Sequence, residues 1–339
     1  MNIVKSVNLR NFRSHAEFLL DCNKPMTLVI GENGSGKTSV LEAVYLALRG
    51  KSFKGVDAEI CKRGEGYYRV ELVRSDGSSV VVRWNGGIRE FEVGGMRTRR
   101  LPKKNRYPVI LFEPDDLYLV GSSPTRRRDY FDKLLAQVDE KYGLALNKYT
   151  KALKQRNGLL KSETVSRDDL FAWNVMLARY GVALSVWRHE FVGRINQRLT
   201  EVYQDIARNK DVSEIRFAAR ERDESRYLAE LTSAFDKDRC VGHTTFGAHL
   251  DDYVFWFNDK KADGSASRGE VRSMILALKF IEARLVQEET GKNPLVLLDD
   301  IFSELDETRQ KHLINNFKDY QVIISGTSVP EELGEGVKI

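Results

Sequence analysis

Residues 26–50 read MTLVIGENGSGKTSVLEAVYLALRG. An apolar run of strand length enters a glycine loop, and a helical spacing of apolar residues follows. Gly31 to Thr38 satisfy G-x-x-x-x-G-K-[ST], and the strand–loop–helix setting is the one this motif needs to bind phosphate. Gly31, Glu32, Asn33, Gly34, Ser35 and Gly36 form the loop, whose backbone N–H groups can cradle phosphate oxygens at the helix N-terminus. Lys37 is expected to reach the β- and γ-phosphates and Thr38 to ligate Mg²⁺, so the implied cofactors are ATP and Mg²⁺.

Such a loop requires an acid for the metal. Asp299 ends the apolar run PLVLLD, where that aspartate belongs, and Asp300 follows as the candidate to orient or deprotonate the attacking water. The catalytic set is therefore Lys37, Asp299 and Asp300, with Thr38 and Asp299 on the metal. SELD follows at Ser303 to Asp306. Upstream, SASRGEVRS (265–273) carries an S-x-G-[QE] element, Ser267, Arg268, Gly269 and Glu270, at the start of an apolar helix. Phosphate loop, long insertion, S-x-G-[QE], apolar strand with acids and SELD follow one another in the order of an ABC-type ATPase. In that class the signature serves the γ-phosphate bound by a second copy, again by presenting a helix N-terminus to an anion. One loop and one signature per chain predict a head-to-tail homodimer with two shared sites.

Composition bounds the rest. The chain has 339 residues, 42% of them hydrophobic and 30% charged, with a net charge of +5. No unbroken apolar run approaches the roughly 18 residues that span a bilayer, and the N-terminus does not read as a signal peptide, so a cytoplasmic location without a membrane partner is expected. Cys22, Cys61 and Cys240 lie far apart without metal spacing. Positive charge is concentrated in MRTRRLPKKNR, with Arg97, Arg99, Arg100, Lys103, Lys104 and Arg106, and in Arg126, Arg127 and Arg128. Taken alone such a run reads as a solvated basic loop; in the context of an ATPase, and with the DNA binding that the family resemblance given below implies, these residues are the candidate DNA-backbone contacts, sequence-independent and salt-sensitive. Reversing the charge of Arg99, Arg100, Lys103 and Lys104 is expected to weaken DNA binding and spare ATP binding.

The predicted architecture is α/β: a P-loop ATPase head of the ABC type, with a mixed sheet and an antiparallel meander over residues 67–93, interrupted by a long helical hairpin. Residues 1–118 and 208–339 are assigned to the head and 119–207 to the helical part. Apolar residues at three- and four-residue steps from Phe131 to Leu160, and again from Trp173 to Ile206, predict two long antiparallel helices, each about 55 Å if unbroken.

The motifs VNLRNFRSH, VIGENGSGKTSVLEAVYLALRGKSF, VILFEPDDLYLVGSSPTRRRDYF, FGAHLDDYVF, ASRGEVR and LLDDIFSELD resemble the RecF family, and the first two more loosely the Rad50 and SMC proteins. The resemblance covers essentially the whole chain. It implies an ATP-dependent, DNA-binding recombination mediator that dimerises on ATP at gaps and single-strand/double-strand junctions. It further implies that the protein acts with RecO and RecR to load RecA, in repair, fork maintenance and SOS induction, through a weak, DNA-stimulated ATPase. It places Arg13 and Asp306 near the nucleotide. Glu270 stands where the signature usually has Gln, and Asp300 where most ABC ATPases have Glu; the shorter carboxylate implies slow hydrolysis. His249 of GAHLDD is expected to be structural. No histidine follows VIIS, where Thr327 stands, and Glu113 falls where the Q-loop belongs. An SMC or Rad50 head would need a far longer coiled coil; a transporter ATPase would need a switch histidine and leaves NFRSH unexplained.

Overall fold

The computed structural model describes residues 2–221, 223–328 and 337–339. They form two compact units, residues 1–116 with 282–339, and residues 117–281. Along the chain the first unit contributes β1 (Val4–Phe12), β2 (His15–Asp21), β3 (Met26–Ile30), α1 (Lys37–Arg49), α2 (Asp57–Ile60), β4 (Tyr67–Arg74), β5 (Ser79–Asn85), β6 (Ile88–Val93), β7 (Met96–Thr98) and β8 (Val109–Phe112). There follow α3 (Pro124–Val138), α4 (Glu140–Leu159), α5 (Arg167–Ala207), β9 (Ser213–Ala218), α6 (Glu224–Ser233), α7 (Phe235–Val241), β10 (Asp252–Phe257), β11 (Lys260–Lys261) and α8 (Arg268–Thr290). The chain closes with β12 (Leu295–Asp299), α9 (Glu307–Phe317), β13 (Val322–Gly326) and β14 (Val337–Lys338).

In the first unit a five-stranded parallel sheet runs β14-β3-β13-β12-β8. Strands buried on both faces read as continuous apolar runs, and every residue of β12 and β13 is buried. A six-stranded antiparallel sheet, β2-β1-β4-β5-β6-β7, packs beside it. Its meander turns at Gly77, Gly86 and Gly87, all at positive φ, as their turn sequences predict. Helix α1 meets strands of both sheets, and Val40, Leu41, Val44, Ala47 and Leu48 are wholly buried in the shared core. The expected mixed sheet is thus two sheets, one parallel and one antiparallel.

In the second unit the first of the two expected long helices is broken. Asp139 is extended at φ −125° and its carboxylate accepts from the Lys141 and Tyr142 N–H groups, at 2.7 and 3.2 Å, to cap α4. Apolar spacing runs on through this break, so periodicity alone does not register it. Helix α5 does run 41 residues, about 60 Å. It lies antiparallel to α4: late Arg156 bonds early Asn174 at 2.6 Å, and Arg188 bonds early Tyr142 at 3.1 Å. By length and composition α5 is apolar enough to cross a membrane, which a search for an unbroken apolar run passes over. Its Leu170, Leu177, Leu184, Phe191 and Ile195 are buried within the unit.

Residues 208–281, assigned from sequence to the head, group with the helices. The physical reason is the apolar face of the β11-β10-β9 sheet, which needs a cover. Tyr253 stacks on Phe131 of α3 with ring centroids 4.1 Å apart, and Asn196 of α5 exchanges hydrogen bonds with the Ile215 backbone. Two arginines sit at the centre. Arg156 bonds Asp238 and Thr244, while Arg188 bonds Asp132, Asp251 and the Ala248 carbonyl. Both are wholly or almost wholly buried. Buried charges persist only when paired and hydrogen-bonded in this way.

Candidate nucleotide-binding site

The glycine loop joins β3 to α1. Gly34 and Gly36 sit at φ 85° and 107°, the left-handed region that favours glycine. Gly36 is the N-cap of α1 and offers no side chain to the first turn, leaving N–H groups there for an anion. A Cβ on Gly36 would collide with Ser14 Oγ and, at 2.5 Å, with His15 Nε2. His15, buried at the start of β2, donates through Nε2–H to the Gly36 carbonyl at 3.1 Å. Lys37 is buried, and its Nζ donates to the Gly31 and Glu32 carbonyls at 2.8 and 2.9 Å. Ser35 Oγ is buried in the same loop with no hydrogen-bond partner among the described residues. A loop folded on its own lysine, with an orphaned hydroxyl, is arranged for a ligand rich in acceptor oxygens.

The parallel strand order β3-β13-β12 brings the second half of the site to the first. Thr38 Oγ1 donates to Asp299 Oδ1 at 2.8 Å, and Ser325 of the intervening β13 donates to the same oxygen at 2.7 Å. A hydroxyl and a carboxylate, both hard oxygen donors, converge here. That donor set fits Mg²⁺, which binds through few protein oxygens and retains the rest of its shell for water and phosphate. Asp300 adopts φ 51° and its N–H donates to the Ser325 carbonyl at 3.1 Å, which turns it away from the strand. It lines a cavity of about 650 Å³ together with Gly34, Gly36, Lys37 and Thr38. The charged lining is Arg13, Lys37, Lys54, Lys62 and Arg63 against Glu59 and Asp300. Volume and sign suit a nucleoside triphosphate.

Arg13 is brought to the cavity wall at φ 54°. Its Nε and Nη2 bond both oxygens of Glu42 at 2.8 Å, and Nη1 bonds the Glu59 carbonyl at 2.8 Å. The hydrogen bond to Glu42, outweighing burial, raises the guanidinium pKa above its usual value. Glu42 is wholly buried and also accepts from Ser52 at 2.5 Å. Sequence reasoning missed Glu42, Ser52 and His15. The available signal was an acid inside the apolar helix TSVLEAVYLALR.

The model for the AAA domain matches residues 6–172. The DNA replication and repair protein RecF of Ruminiclostridium cellulolyticum is 32% identical over 361 residues, covering 96% of this chain and 93% of that protein. That of Alkaliphilus oremlandii is also 32% identical at the same coverage. The chain belongs to the RecF family. The solved structure of the recombination mediator protein RecF-ATPrS in the RecFOR pathway superposes with a TM-score of 0.87 at 27% identity, covering 100% of this chain and 96% of that one. A crystallised SmcHead bound to the C-winged helix domain of ScpA, at TM-score 0.52 and 13% identity, shares the fold. The architecture is that of an ABC/SMC-like P-loop ATPase.

In the second unit Ser267 and Glu270 form a reciprocal capping box at the start of α8. Glu270 N–H donates to Ser267 Oγ at 3.3 Å, and Ser267 N–H to Glu270 Oε2 at 2.6 Å. The unusual acid is thus turned back onto its own helix end; Ser267 and Arg268 are exposed, and Gly269 lies within the first turn. Ser303 Oγ bonds the Asp300 carbonyl at 2.8 Å. Asp306 caps α9 through the Arg309 N–H at 3.0 Å and pairs with the Arg309 guanidinium. Glu113 follows β8, and its N–H bonds Asp116 at 3.1 Å. Thr327 is exposed after β13.

His249 lies in a largely buried hydrogen-bonded network of the second unit. Nε2–H donates to the Thr244 carbonyl at 3.1 Å, and Nδ1 lies 2.9 Å from Tyr149 Oη, which in turn lies 3.2 Å from Tyr227 Oη. Burial lowers the imidazole pKa below 6.5 and pushes the Tyr149 phenol up to about 12.

The candidate DNA contacts divide. Arg99, Arg100, Lys103, Lys104 and Arg106 are exposed, and Arg97 is exposed but paired with Glu92 at 3.2 Å. Arg127, by contrast, grips both oxygens of Asp252 at 2.9 and 2.8 Å, and Arg128 bonds the Asp251 carbonyl at 2.7 Å. Both hold the second unit together. Arg126 is half-buried beside them.

Proposed function

We propose that this chain is an ATP-dependent, DNA-binding recombination mediator whose two ATP sites are shared between two copies arranged head to tail. The observation that carries the reading is the meeting of Thr38 and Asp299 beneath an uncapped glycine loop. The triphosphate lies at the N-terminus of α1. Lys37 leaves the Gly31 and Glu32 carbonyls for the β/γ-phosphate oxygens, and Glu32, Asn33 and Ser35 line the loop around them. Thr38 and Asp299 hold Mg²⁺, which when bound neutralises charge developing on those oxygens. Asp300 orients a water toward the γ-phosphorus and accepts its proton as the bond to the β–γ bridging oxygen breaks, leaving ADP and phosphate. Ser267 and the Gly269 N–H of a second copy complete the γ-phosphate shell, with Arg268 and Asp306 at the shared boundary. A short Asp300 carboxylate holds that water less closely than a glutamate, which favours slow turnover, faster on DNA.

The DNA is bound through its backbone at gaps or junctions. Relatives named for replication and repair, and a RecF-ATP structure from the RecFOR pathway, support action with RecO and RecR to promote RecA loading in the cytoplasm. Mass by light scattering tests the shared site, with and without ATP and gapped DNA, on wild type, Lys37→Met and Ser267→Arg. Wild type should dimerise on ATP, each variant alone should not, and mixing them should restore one site. A wild type that stays monomeric throughout overturns the reading.

A further inference from the structure

The nucleotide site leaves one strongly charged surface of the second unit without a role. From Lys141 to Ser162 the chain contains no carboxylate. Lys141, Lys148, Lys151, Lys154 and Lys161 are all exposed there, while the remaining cation, Arg156, is buried against Asp238. In a chain of 54 basic and 49 acidic residues, surface charge is ordinarily interleaved, and a helix face of one sign departs from that pattern. The helix is placed by its other side. Tyr142, Ala145, Tyr149, Ala152 and Arg156 are buried at three- and four-residue steps, so the outward side carries Lys151 and Lys154. Lys148 stands at the edge with its ammonium 5.4 Å from the Tyr180 ring centroid. The neighbouring α5 has no carboxylate from Leu170 to His189 and exposes Arg179. Lys141 to Lys154 spans about 20 Å of helix axis, with Lys161 just beyond the end of α4.

We propose that the outer side of α4 binds the phosphate backbone of duplex DNA. The proposal rests on the DNA-binding reading above and assigns it a surface. Exposed lysines along about 20 Å of one helix, with no carboxylate among them, complement the regular charge of a duplex, about one per 1.7 Å of axis. Both aromatic residues of α4 are buried, so its outer side lacks the stacking platforms that single strands use. Its apolar side is covered by α5, so α4 cannot lay that side into a bilayer as interfacial helices do.

The test is the full chain with Lys151, Lys154 and Lys161 all changed to Gln, titrated with a fluorescent blunt duplex across a salt series. The triple variant should bind at least about ten-fold more weakly, and the slope of log affinity against log salt should shrink by nearly 0.9 per lost contact. ATP binding and thermal unfolding should be unchanged. If wild type binds duplex and the variant keeps both affinity and slope, this surface is wrong and the DNA-binding reading survives. If wild type shows no salt-dependent DNA binding, both fall. Loss of binding to phosphatidylserine-containing vesicles, with duplex binding intact, would assign the face to a membrane and overturn the proposal.

Discussion

Thr38 and Asp299 are 261 residues apart, yet the threonine hydroxyl donates to the aspartate at 2.8 Å. Strand order produces this contact, since β13 lies between β3 and β12 and supplies Ser325 to the same carboxylate oxygen. Removing either member should uncouple nucleotide binding from Mg²⁺. Thr38→Val should leave the fold intact, because valine matches threonine in shape and Ser325 still donates to Asp299. Hydrolysis should fall at least about 100-fold. ATP affinity measured with and without Mg²⁺ should become equal. A variant that keeps its Mg²⁺ dependence would place the metal elsewhere.

Glu270 bonds the Ser267 N–H. Glu270→Gln preserves that acceptor and should leave stability unchanged while removing a negative charge from the signature, so ATP-driven dimers should tighten. Glu270→Ala breaks the capping box and should cost about 1 kcal/mol of unfolding free energy. Urea denaturation of the two variants separates helix capping from charge.

His249 sets a pH dependence. Its folded pKa lies below 6.5 because burial disfavours the charged ring. Above 6.5 both folded and unfolded chains hold it neutral, and no penalty arises. As pH falls below 6.5 the unfolded chain takes up a proton that the folded chain refuses, so stability declines until pH passes the folded value. His249→Gln should flatten this part of the stability profile, measured by urea unfolding between pH 7.5 and about 5. An unchanged slope would assign it to another group.

The three thiols should separate kinetically. Burial pushes the Cys22 pKa up to about 12 and raises that of Cys61, while Cys240 is exposed. With a disulfide reagent at about pH 8, near the ordinary thiol pKa, one thiol should react fast, and Cys240→Ser should abolish that phase. Cys61 lines the nucleotide cavity, so ATP should slow its later modification and leave Cys22 unaffected. A fast phase that persists in Cys240→Ser would mean that Cys61 is open to solvent.

What the sequence by itself determined was everything carried by local pattern. The glycine loop with its flanking strand and helix, the acids ending PLVLLDD, the meander turns and the S-x-G-E helix start were legible because backbone geometry demands those residue types within a few positions. Chain order then implied an ABC-type head. Tertiary structure alone decided which charges are available. Arg127 and Arg128 look like surface cations in TRRRD, but the fold returns Asp251 and Asp252 beside them from more than a hundred residues away. The α4 lysines look like any solvated helix until the burial of Tyr142, Tyr149 and Arg156 shows which side faces out. Residues 208–281 read as ATPase head until their sheet covers itself with α3 and α5. Glu42 stands out in the sequence only as an acid within an apolar helix, and its partner Arg13 is not named there, because the two meet only across the intervening strands and glycine loop. Ion pairing and burial depend on long-range proximity, which short-range periodicity does not encode.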